Sequence, residues 1–250
     1  MTFLSDVPQD QTLKVKRISD TSLLKAFLTK LGPPFLIVIF KSRKLIDVLS
    51  QLSDVTKFLL WQIDTFGYVK IFTTKEKLLR YLIVKCCLGE EKYNIYEFGV
   101  AHGYLTKYVL SLEKKLGNFI KEYNGYDTFE GLPFGYRNFK AGSFSNQGKF
   151  PEIRSTKLNW YRGFVEESVD DQTFSSDPKI VILDLDLLGP TKHVINHLLP
   201  MLNEFDILYF DEGFDEAEFS ILSKELVPNI VFEYLGTTGQ GLAIRFIGWK

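Results

Sequence analysis

Residues 96–103, Tyr-Glu-Phe-Gly-Val-Ala-His-Gly, decide the fold that we expect of this 250-residue chain. The pattern is typical of a buried strand that runs into a glycine turn, which then opens a helix. Gly99 and Gly103, four residues apart, leave the turn backbone bare, so a bulky cofactor can approach it, and Glu97 lies near the strand end. The alternative is that the small residues serve only the close packing of strand on helix.

The glycine spacing differs from that of a dinucleotide-binding turn, in which glycines hold the first, third and sixth places. The places after Gly99 hold Val100, Ala101 and His102. This spacing argues against a nicotinamide-dependent oxidoreductase. The pattern Glu-x-Gly-x-x-x-Gly instead resembles the first motif of S-adenosylmethionine-dependent methyltransferases.

The composition excludes several classes of partner. With 30 basic and 31 acidic residues the formal net charge is -1, so no global field attracts nucleic acid or an anionic membrane. The longest purely aliphatic and aromatic run, residues 35–40, is too short to span a bilayer. The start of the chain lacks the basic-then-apolar order of a secretion signal, so we expect a cytoplasmic protein. Cys86 and Cys87 are adjacent, a poor geometry for a mutual disulfide, which favours a reduced compartment.

The first part of the chain differs in its sequence pattern from the rest. Its patterns predict helices at 23–31, 44–52 and 56–63 and strands at 35–40 and 67–72. Thr74 is placed to cap a helix that continues to about residue 87. We therefore predict a small N-terminal α/β appendage at residues 1–72, acting as a substrate lid or a dimerisation element, and a main domain at 73–250.

Strands and helices alternate from residue 93 onward, which predicts a parallel sheet with helices on both faces. The predicted strands are 94–98, 119–126, 158–161, 179–185, 207–210, 230–234 and 242–247. A turn-rich segment at 236–241 joins the last two and is short enough for a hairpin, so the final strand should run antiparallel to its predecessor. An α/β sheet of seven strands with an antiparallel last strand is the Rossmann-like architecture of the class I methyltransferases.

The second informative stretch is Tyr-Asn-Gly-Tyr-Asp-Thr-Phe-Glu-Gly-Leu-Pro at 123–133. Asp127 lies 28 residues beyond Gly99 at the end of the next strand, where a carboxylate can accept hydrogen bonds from ribose hydroxyls. The alternative is that Asp127 caps a turn. Residues 126–133 resemble the Phe-Asp-Ser-Phe-Glu-Gly-Leu-Pro signature of the macrocin O-methyltransferase family, which methylates sugar hydroxyls in macrolide pathways and related ones.

Further segments extend this resemblance over roughly residues 93–250. Residues 97–100 with Gly103 are similar to the opening motif of the family, residues 141–144 to a Gly-Ser/Thr-Phe segment near the cofactor, and residues 160–168 to its Gly-x-Phe-x-x-Thr segment. The resemblance implies S-adenosylmethionine as the cofactor. It implies these residues as its binding site: Glu97, Gly99, Val100, Gly103, Asp127, Thr128, Ser143, Phe144, Gly163 and Phe164. Taken singly, the aromatic residues fit ordinary core packing equally well.

Acidic residues follow two successive strands. Asp184 and Asp186 end one buried strand, and Asp211 and Glu212 end the next, so these carboxylates should converge at the ligand crevice. Convergent carboxylates repel one another, and a hard divalent cation relieves that repulsion. In the family an Asp-x-Asp and an Asp-Asp pair bind a metal that holds the hydroxyls of the acceptor sugar. The resemblance therefore implies Mg²⁺ at Asp184, Asp211 and Glu212, with Asp186 close by.

The chain departs from the family pattern at this acidic site. Glu212 stands where the family has Asp, Leu188 stands where it has Tyr, and residues 203–206 lack the Gly-Gly turn expected before the last acidic strand. A longer Glu side chain reaches a cation with a different geometry, so loss of the metal is an open alternative. Asp186 could instead cap a helix or lie in solvent.

The three histidines of the chain are further candidates. His193 and His197 are four apart on the predicted helix after Pro190, a spacing that can bind a transition metal, but packing or surface roles are favoured there. His102 lies inside the glycine turn and could contact bound cofactor or substrate. It is a candidate general base.

These patterns predict an S-adenosylmethionine-dependent O-methyltransferase that acts on a hydroxyl of a small, glycosylated or polyhydroxylated metabolite. The candidate catalytic residues are Asp184, Asp186 and His102. The expected partner is a small-molecule acceptor, with a homodimer as an option and no nucleic acid or membrane. A non-catalytic cofactor-binding or assembly subunit stays open as the alternative, and a nicotinamide-dependent oxidoreductase is disfavoured by the glycine spacing.

Overall fold

The structure is a computed structural model that describes residues 12–13, 43–137 and 139–250. The chain divides into two compact units, one with residues 9–71 and the other with residues 72–250. The predicted helix at 23–31 and strand at 35–40 lie outside the described residues. The lid or dimerisation role of residues 1–72 stays a prediction.

The described part of the first unit holds a helix and a short two-stranded ribbon. Strand β1 (Thr12–Leu13) pairs antiparallel with β2 (Val69–Lys70), which is shorter than the predicted strand at 67–72. Helix α1 (Arg43–Phe66) has 24 residues. Among the described residues, no helix combines the length and the apolar character that crossing a bilayer requires.

Helix α1 runs without a break through two predicted helical segments, 44–52 and 56–63. The polar residues between these segments form bonds within the helix. The hydroxyl of Thr56 donates to the carbonyl oxygen four residues earlier at 2.7 Å, and Nζ of Lys57 donates to Asp54 at 2.9 Å. Because their side chains are satisfied locally, these residues do not interrupt the helix.

The second unit alternates strands and helices. Its helices are α2 (Lys75–Cys86), α3 (Tyr104–Leu116), α4 (Val165–Ser168), α5 (Leu188–Leu198) and α6 (Glu216–Ser220), with a 3₁₀ turn at Leu199–Met201 and a π-helical segment at Ile221–Leu226. Its strands are β3 (Tyr93–Phe98), β4 (Ile120–Asp127), β5 (Leu158–Arg162), β6 (Lys179–Leu183), β7 (Ile207–Phe210), β8 (Ile230–Thr237) and β9 (Leu242–Trp249). As predicted, Thr74 caps α2, and its hydroxyl accepts the N–H of Lys77 at 3.3 Å.

The strands β3 to β9 of the described chain form one mixed sheet in the order β5-β4-β3-β6-β7-β9-β8. β3 pairs in parallel with β4 and β6, and β6 with β7. β9 lies between β7 and β8 and runs antiparallel to both. The predicted seven-stranded sheet with an antiparallel last strand is therefore confirmed. The strand order reverses between β3 and β6, and open α/β sheets bind ligands at the carboxyl ends of strands beside such a reversal.

Strand β3 is buried along its whole length. Ile95 belongs to one hydrophobic core with Leu82 of α2 and Val109 of α3. Tyr96 and Phe98 point to the opposite face, since side chains alternate along a strand, and they are buried as well. Both faces of the sheet are thus covered at β3, so a site beside this strand has to lie at its carboxyl end.

A buried ion pair joins the amino ends of β6 and β7. Lys179 and Asp206 are fully buried, and Nζ of Lys179 donates to Asp206 at 2.7 Å and to the carbonyl oxygen of Met201 at 2.8 Å. Asp206 also accepts the backbone N–H groups of Lys179 and Asn203, each at 2.8 Å. The turn that stands in place of the Gly-Gly of the family bends at Phe205, whose φ is 76°. The bonds of Asp206 hold this left-handed conformation in place.

Replacing Asp206 by Asn should lower the free energy of unfolding by about 3–5 kcal/mol, because it leaves the ammonium of Lys179 buried without its counter-charge. Denaturant titration followed by circular dichroism measures the loss. Glu225→Gln is the matched control, since it removes a carboxylate from an exposed pair with Lys192 and should cost less than about 1 kcal/mol. Equal losses in the two variants would contradict a structural role for the buried pair.

Candidate active site

A cavity of about 400 Å³ opens at the carboxyl ends of β3, β4, β6 and β7, beside the reversal of strand order. Small-molecule sites typically measure roughly 300–1,000 Å³. The cavity brings together all but two of the predicted site residues: Glu97, Gly99, Val100, His102, Asp127, Thr128, Phe144, Gly163, Phe164, Asp184, Asp186, Asp211 and Glu212. The two that do not line it are Gly103 and Ser143.

The glycines of the turn after β3 serve close packing within the protein. Gly99, Ala101 and Gly103 all have positive φ, at 89°, 47° and 71°. A Cβ at Gly99 would lie 1.8 Å from the carbonyl oxygen of Asp184, so no other residue fits there. A Cβ at Gly103 would lie 2.7 Å from Cδ1 of Ile153. This packing agrees with the alternative interpretation of the motif, and the cofactor contact of Gly103 stays a prediction.

Asp127 ends β4 and ties the glycine turn to the loop that follows β4. Its Oδ2 accepts the N–H of Ala101 at 2.7 Å, and its Oδ1 accepts the N–H of Phe129 at 2.6 Å. Each carboxylate oxygen can accept a second hydrogen bond, and Asp127 also lines the cavity. Turn capping and a ribose contact are thus compatible, and the ribose contact stays a prediction.

Glu97 lies beneath the turn and is 1% exposed. Its Oε2 accepts the hydroxyl of Thr106 at 2.6 Å and the hydroxyl of Tyr123. Burial raises the pKa of Glu97 to about 7, although these two hydrogen bonds oppose the shift. Glu97 therefore links β3, α3 and β4 under the floor of the cavity.

The segment after β4 packs on residues 141–144. Gly131 has a φ of 82°, and a Cβ there would lie 2.3 Å from the carbonyl oxygen of Ser143. The same carbonyl oxygen accepts the N–H of Leu132 at 3.0 Å. The glycine of the signature, Gly131, is thus required because the backbone of Ser143 packs directly against it. Ser143 supports this segment and is not among the residues that line the cavity, so its cofactor contact stays a prediction.

Exposed aromatic side chains form one wall of the cavity. Phe139, Phe144 and Phe164 line it and are 43%, 42% and 48% exposed. The rings of Phe139 and Phe144 lie 4.7 Å apart. Clustered exposed aromatic rings are a common mark of a binding surface, because flat apolar faces gain most when a ligand covers them.

Lys75, the first residue of α2, lies between the carboxylates that follow β6 and β7. Its Nζ donates to Asp211 at 2.9 Å and to Asp184 at 3.4 Å. The hydroxyl of Tyr209 holds the other oxygen of Asp211 at 2.5 Å. Burial alone would lower the pKa of Lys75, but the charges of Asp184 and Asp211 outweigh it and raise that pKa above its ordinary value. The side chain of Lys75 is therefore a cation.

Arg137 contacts the remaining carboxylates of this acidic group. It donates to Glu212 at 3.3 Å through Nη1 and to Asp215 through Nη2. Its guanidinium also lies 4.7 Å from the ring centre of Phe214. Asp186 lies between the two strand ends with a φ of 60°, a conformation that Asp tolerates better than most residues.

The acidic group has more carboxyl groups than Lys75 and Arg137 contact: Asp184, Asp186, Asp211, Glu212, Asp215 and Glu218. Burial raises the pKa of four of its carboxyl groups: Asp184, Asp186, Glu212 and Glu218. Neighbouring carboxylates add to the shift, as Asp211 does for Asp184. For Glu212 the pKa is raised to about 7, against the opposing charge of Arg137. Like charges held this close favour the binding of protons or other cations.

The residues predicted to bind magnesium are already bonded within the protein. Asp184 and Asp211 contact Lys75, and Glu212 contacts Arg137. Among the described residues, no three His, Cys, Asp or Glu side chains are arranged to hold a metal ion. In this arrangement the carboxylates do not fit a divalent cation, because basic side chains of the chain bond the oxygens that would bind it.

The histidines differ in their surroundings. His102 is exposed and lines the cavity, so it stays a candidate base. Nε2 of His193 lies 3.0 Å from the carbonyl oxygen of Val169, and Nδ1 of His197 lies 2.8 Å from Asp171. The two rings lie 4.6 Å apart, and each of these nitrogens has its own protein partner, which agrees with packing and surface roles.

Sequence reasoning missed Lys75 and Arg137. A lysine directly after an N-cap places its positive charge at the positive end of the helix dipole, and this unfavourable position is the only local signal. Arg137 lies in a loop, with a φ of 50° and no periodic pattern around it. The roles of both residues depend on partners that are distant in sequence, so local patterns do not show them.

The strand order and the cavity define the fold as that of the class I methyltransferases. CalS11, a calicheamicin methyltransferase, is 17% identical with a TM-score of 0.54, over 82% of this chain and 93% of that chain. The O-methyltransferase NovP is 12% identical with a TM-score of 0.51, over 69% of this chain and 80% of that chain. At these identities the likeness shows the fold alone. No protein-family model and no curated protein sequence matches the chain.

Replacing Gly99 by Ala should lower the free energy of unfolding by at least about 3 kcal/mol, since the new methyl group meets a backbone oxygen and the φ is positive. Gly189→Ala is the control, because nothing lies within 4 Å of a Cβ there. It should change stability by no more than about 1 kcal/mol. Thermal and denaturant unfolding measure both. Near-identical stabilities would refute the close contact at Gly99.

The pKa of Glu97 predicts a pH dependence of stability. Its folded value of about 7 exceeds the ordinary 4.5, so between these values the folded state keeps a proton that the unfolded state has released. This contribution to stability is present at low pH and is lost as the pH rises through 7. The free energy of unfolding of Glu97→Gln, taken relative to that of the wild type, should therefore rise by on the order of 2–3 kcal/mol between about pH 5 and about pH 8. The exposed Glu122→Gln serves as control, and parallel curves for Glu97→Gln and wild type would contradict the assignment.

Proposed function

We propose that this protein is an S-adenosylmethionine-dependent O-methyltransferase acting on a small molecule. One observation carries the proposal: the glycine turn, Asp127 and the carboxylates after β6 and β7 line a single cavity at the reversal of strand order. A nucleoside cofactor needs a hydrogen-bond acceptor for its ribose and an apolar wall for its base. The chemistry of Asp127 and of the exposed aromatic rings suits these two needs.

The residues of the cavity have separate parts in binding. Asp127 would accept hydrogen bonds from the ribose hydroxyls, and Phe144 or Phe164 would pack against the adenine. Glu97, under the turn, keeps the floor rigid through its bonds to Thr106 and Tyr123. When bound, S-adenosylmethionine supplies an electrophilic methyl group. The protein has to align an acceptor oxygen with that methyl group and keep water away.

The acceptor hydroxyl must release its proton as its oxygen forms the bond to carbon and the carbon–sulfur bond breaks. Asp186 is our first candidate for the proton acceptor. It lines the cavity, and burial raises its pKa, which makes its carboxylate a better base. Its positive φ also fits the strained conformations that occur at active sites. His102, exposed in the same cavity, is the second candidate.

The chemistry of the cavity favours a hydroxylated acceptor. Carboxylates accept hydrogen bonds from hydroxyl groups, and aromatic walls contact the apolar faces of sugars and macrocycles. The resemblance of residues 126–133 to the macrocin O-methyltransferase signature supports the same class. We therefore propose a glycosylated or polyhydroxylated metabolite as the acceptor.

Magnesium is not needed for this proposal. Mg²⁺ at Asp184, Asp211 and Glu212 stays a prediction from the family resemblance. Binding there would require Lys75 and Arg137 to release their carboxylates. No step of the proposed transfer depends on it.

A non-catalytic cofactor-binding subunit is the second candidate function. The observation that favours it is the bonding of Asp184, Asp211 and Glu212 to basic side chains, which leaves fewer acceptors for a substrate. Such a subunit would keep the glycine turn and Asp127. It would bind cofactor without forming a methylated product.

Calorimetric titration of the full chain with S-adenosylhomocysteine tests the cofactor. We expect binding and a rise in melting temperature by mass action, and no binding of NAD. Asp127→Asn should weaken binding by about 1.5–3 kcal/mol, because it removes a charge-assisted hydrogen bond. Asp171→Asn is the control, since that side chain is 94% exposed and pairs with His197. It should bind like wild type.

The outcomes separate the alternatives. Tight binding of NAD without S-adenosylhomocysteine would favour an oxidoreductase and overturn the proposal. Binding of S-adenosylhomocysteine followed by labelled product from S-adenosyl[methyl-¹⁴C]methionine and a panel of glycosides would support the enzyme. Binding without product would favour the non-catalytic subunit.

A further inference from the structure

Lys75 stands where a metal ion is predicted, bonded to the side chains of two strands. Its Nζ lies 2.9 Å from Asp211 and 3.4 Å from Asp184, and Lys75 lines the same cavity as both. Its side chain is 32% exposed, so it reaches into the cavity and is not buried beneath it. The carboxylate pair that should bind a cation therefore already binds one.

The position of Lys75 in α2 is unfavourable in itself. Thr74 caps the helix and Lys75 follows as its first residue, where the helix dipole favours acidic side chains. Two residues on, Lys77 turns its ammonium to Thr73 at the edge of the helix, at 2.8 Å. Lys75 instead points to Asp184 and Asp211, whose charges offset the unfavourable dipole. The acidic pair therefore determines where this side chain points.

Backbone contacts with the neighbouring strands hold the two acidic residues in place. The N–H of Asp184 donates to the carbonyl oxygen of Phe98 at 2.9 Å, and its own carbonyl oxygen packs against Gly99. The N–H of Asp211 donates to the carbonyl oxygen of Leu183 at 2.9 Å. Their spacing is set by the sheet, and the ammonium bridges it as a metal ion would.

We propose that the ammonium of Lys75 is the resident cation of this site and takes the part of the divalent ion that the family resemblance implies. This rests on the proposed function, since it assigns Lys75 as the residue that positions the acceptor. An ammonium has three N–H groups, and two of them face Asp184 and Asp211. The third is available to an acceptor oxygen in the cavity. Arg137 holds Glu212 and Asp215 in the same way, so both positive charges come from the chain.

Binding of Mn²⁺ to the full chain tests this assignment directly, because Mn²⁺ takes the same oxygen ligands as Mg²⁺ and is followed by electron paramagnetic resonance. We expect weak binding to the wild type. Lys75→Met keeps much of the side-chain volume but removes the charge, so the freed carboxylates should bind Mn²⁺ at least about tenfold more tightly. Lys75→Arg should bind like wild type, because it keeps the cation.

Two control variants separate a specific effect from a general one. Lys77→Met removes a lysine from the same helix turn without touching the carboxylates and should leave Mn²⁺ affinity unchanged. Adding Asp211→Asn to Lys75→Met should abolish the gain. If Lys75→Met does not fold, Lys75→Gln takes its place. The titration of the wild type with Mn²⁺ needs no variant, and it still shows whether the ammonium yields to a metal ion.

Tight Mn²⁺ binding by the wild type, equal to that of Lys75→Met, would overturn the proposal, since the ammonium would then yield to a metal. Unchanged weak binding in Lys75→Met would overturn it too, because the carboxylates would not be a cation site. Titration with S-adenosylhomocysteine on the same samples is independent. Its failure would refute the proposed function and leave the Mn²⁺ results to decide the role of Lys75.

Discussion

The contact between Gly99 and the carbonyl oxygen of Asp184 is the constraint on which the site depends. It brings the ends of β3 and β6 together at the reversal of strand order, with no space for a Cβ. Asp127 then bonds the turn at Ala101, which joins β4 to the same floor. Because Glu97 bonds Thr106 of α3 and Tyr123 of β4, the floor of the cavity is formed by the packing of the protein itself.

The second constraint on the site is the repulsion between its carboxylates, which follows from the close approach of the strand ends. Strands that end side by side place their carboxylates side by side, and the resulting repulsion needs a cation. Lys75 and Arg137 supply positive charge from a helix and a loop, and they divide the acidic group between them. Burial, together with the neighbouring carboxylates, raises the pKa values of this group, to about 7 for Glu212. A site of this kind suits a cationic cofactor and an acceptor with hydroxyl groups.

Local rules predicted much of the molecule. β7 has its predicted bounds and β3 begins one residue early, because buried strands are apolar segments ended by turn residues. Asp127 was predicted from its place at a strand end. Lys75 could not be, since its partners lie 109 and 136 residues away along the chain. The packing of Gly103 could not be predicted for the same reason, because its neighbour Ile153 lies fifty residues later in the chain.

The central claim is that one cavity holds the cofactor between Asp127 and the acidic strand ends. A crystal structure of the full chain with S-adenosylhomocysteine tests it most directly. We expect ribose hydroxyls within hydrogen-bond distance of the Asp127 carboxylate, adenine against Phe144 or Phe164, and the sulfur facing the side of Asp184 and Lys75. A nucleoside bound elsewhere, or one whose ribose lies away from Asp127, would contradict the account.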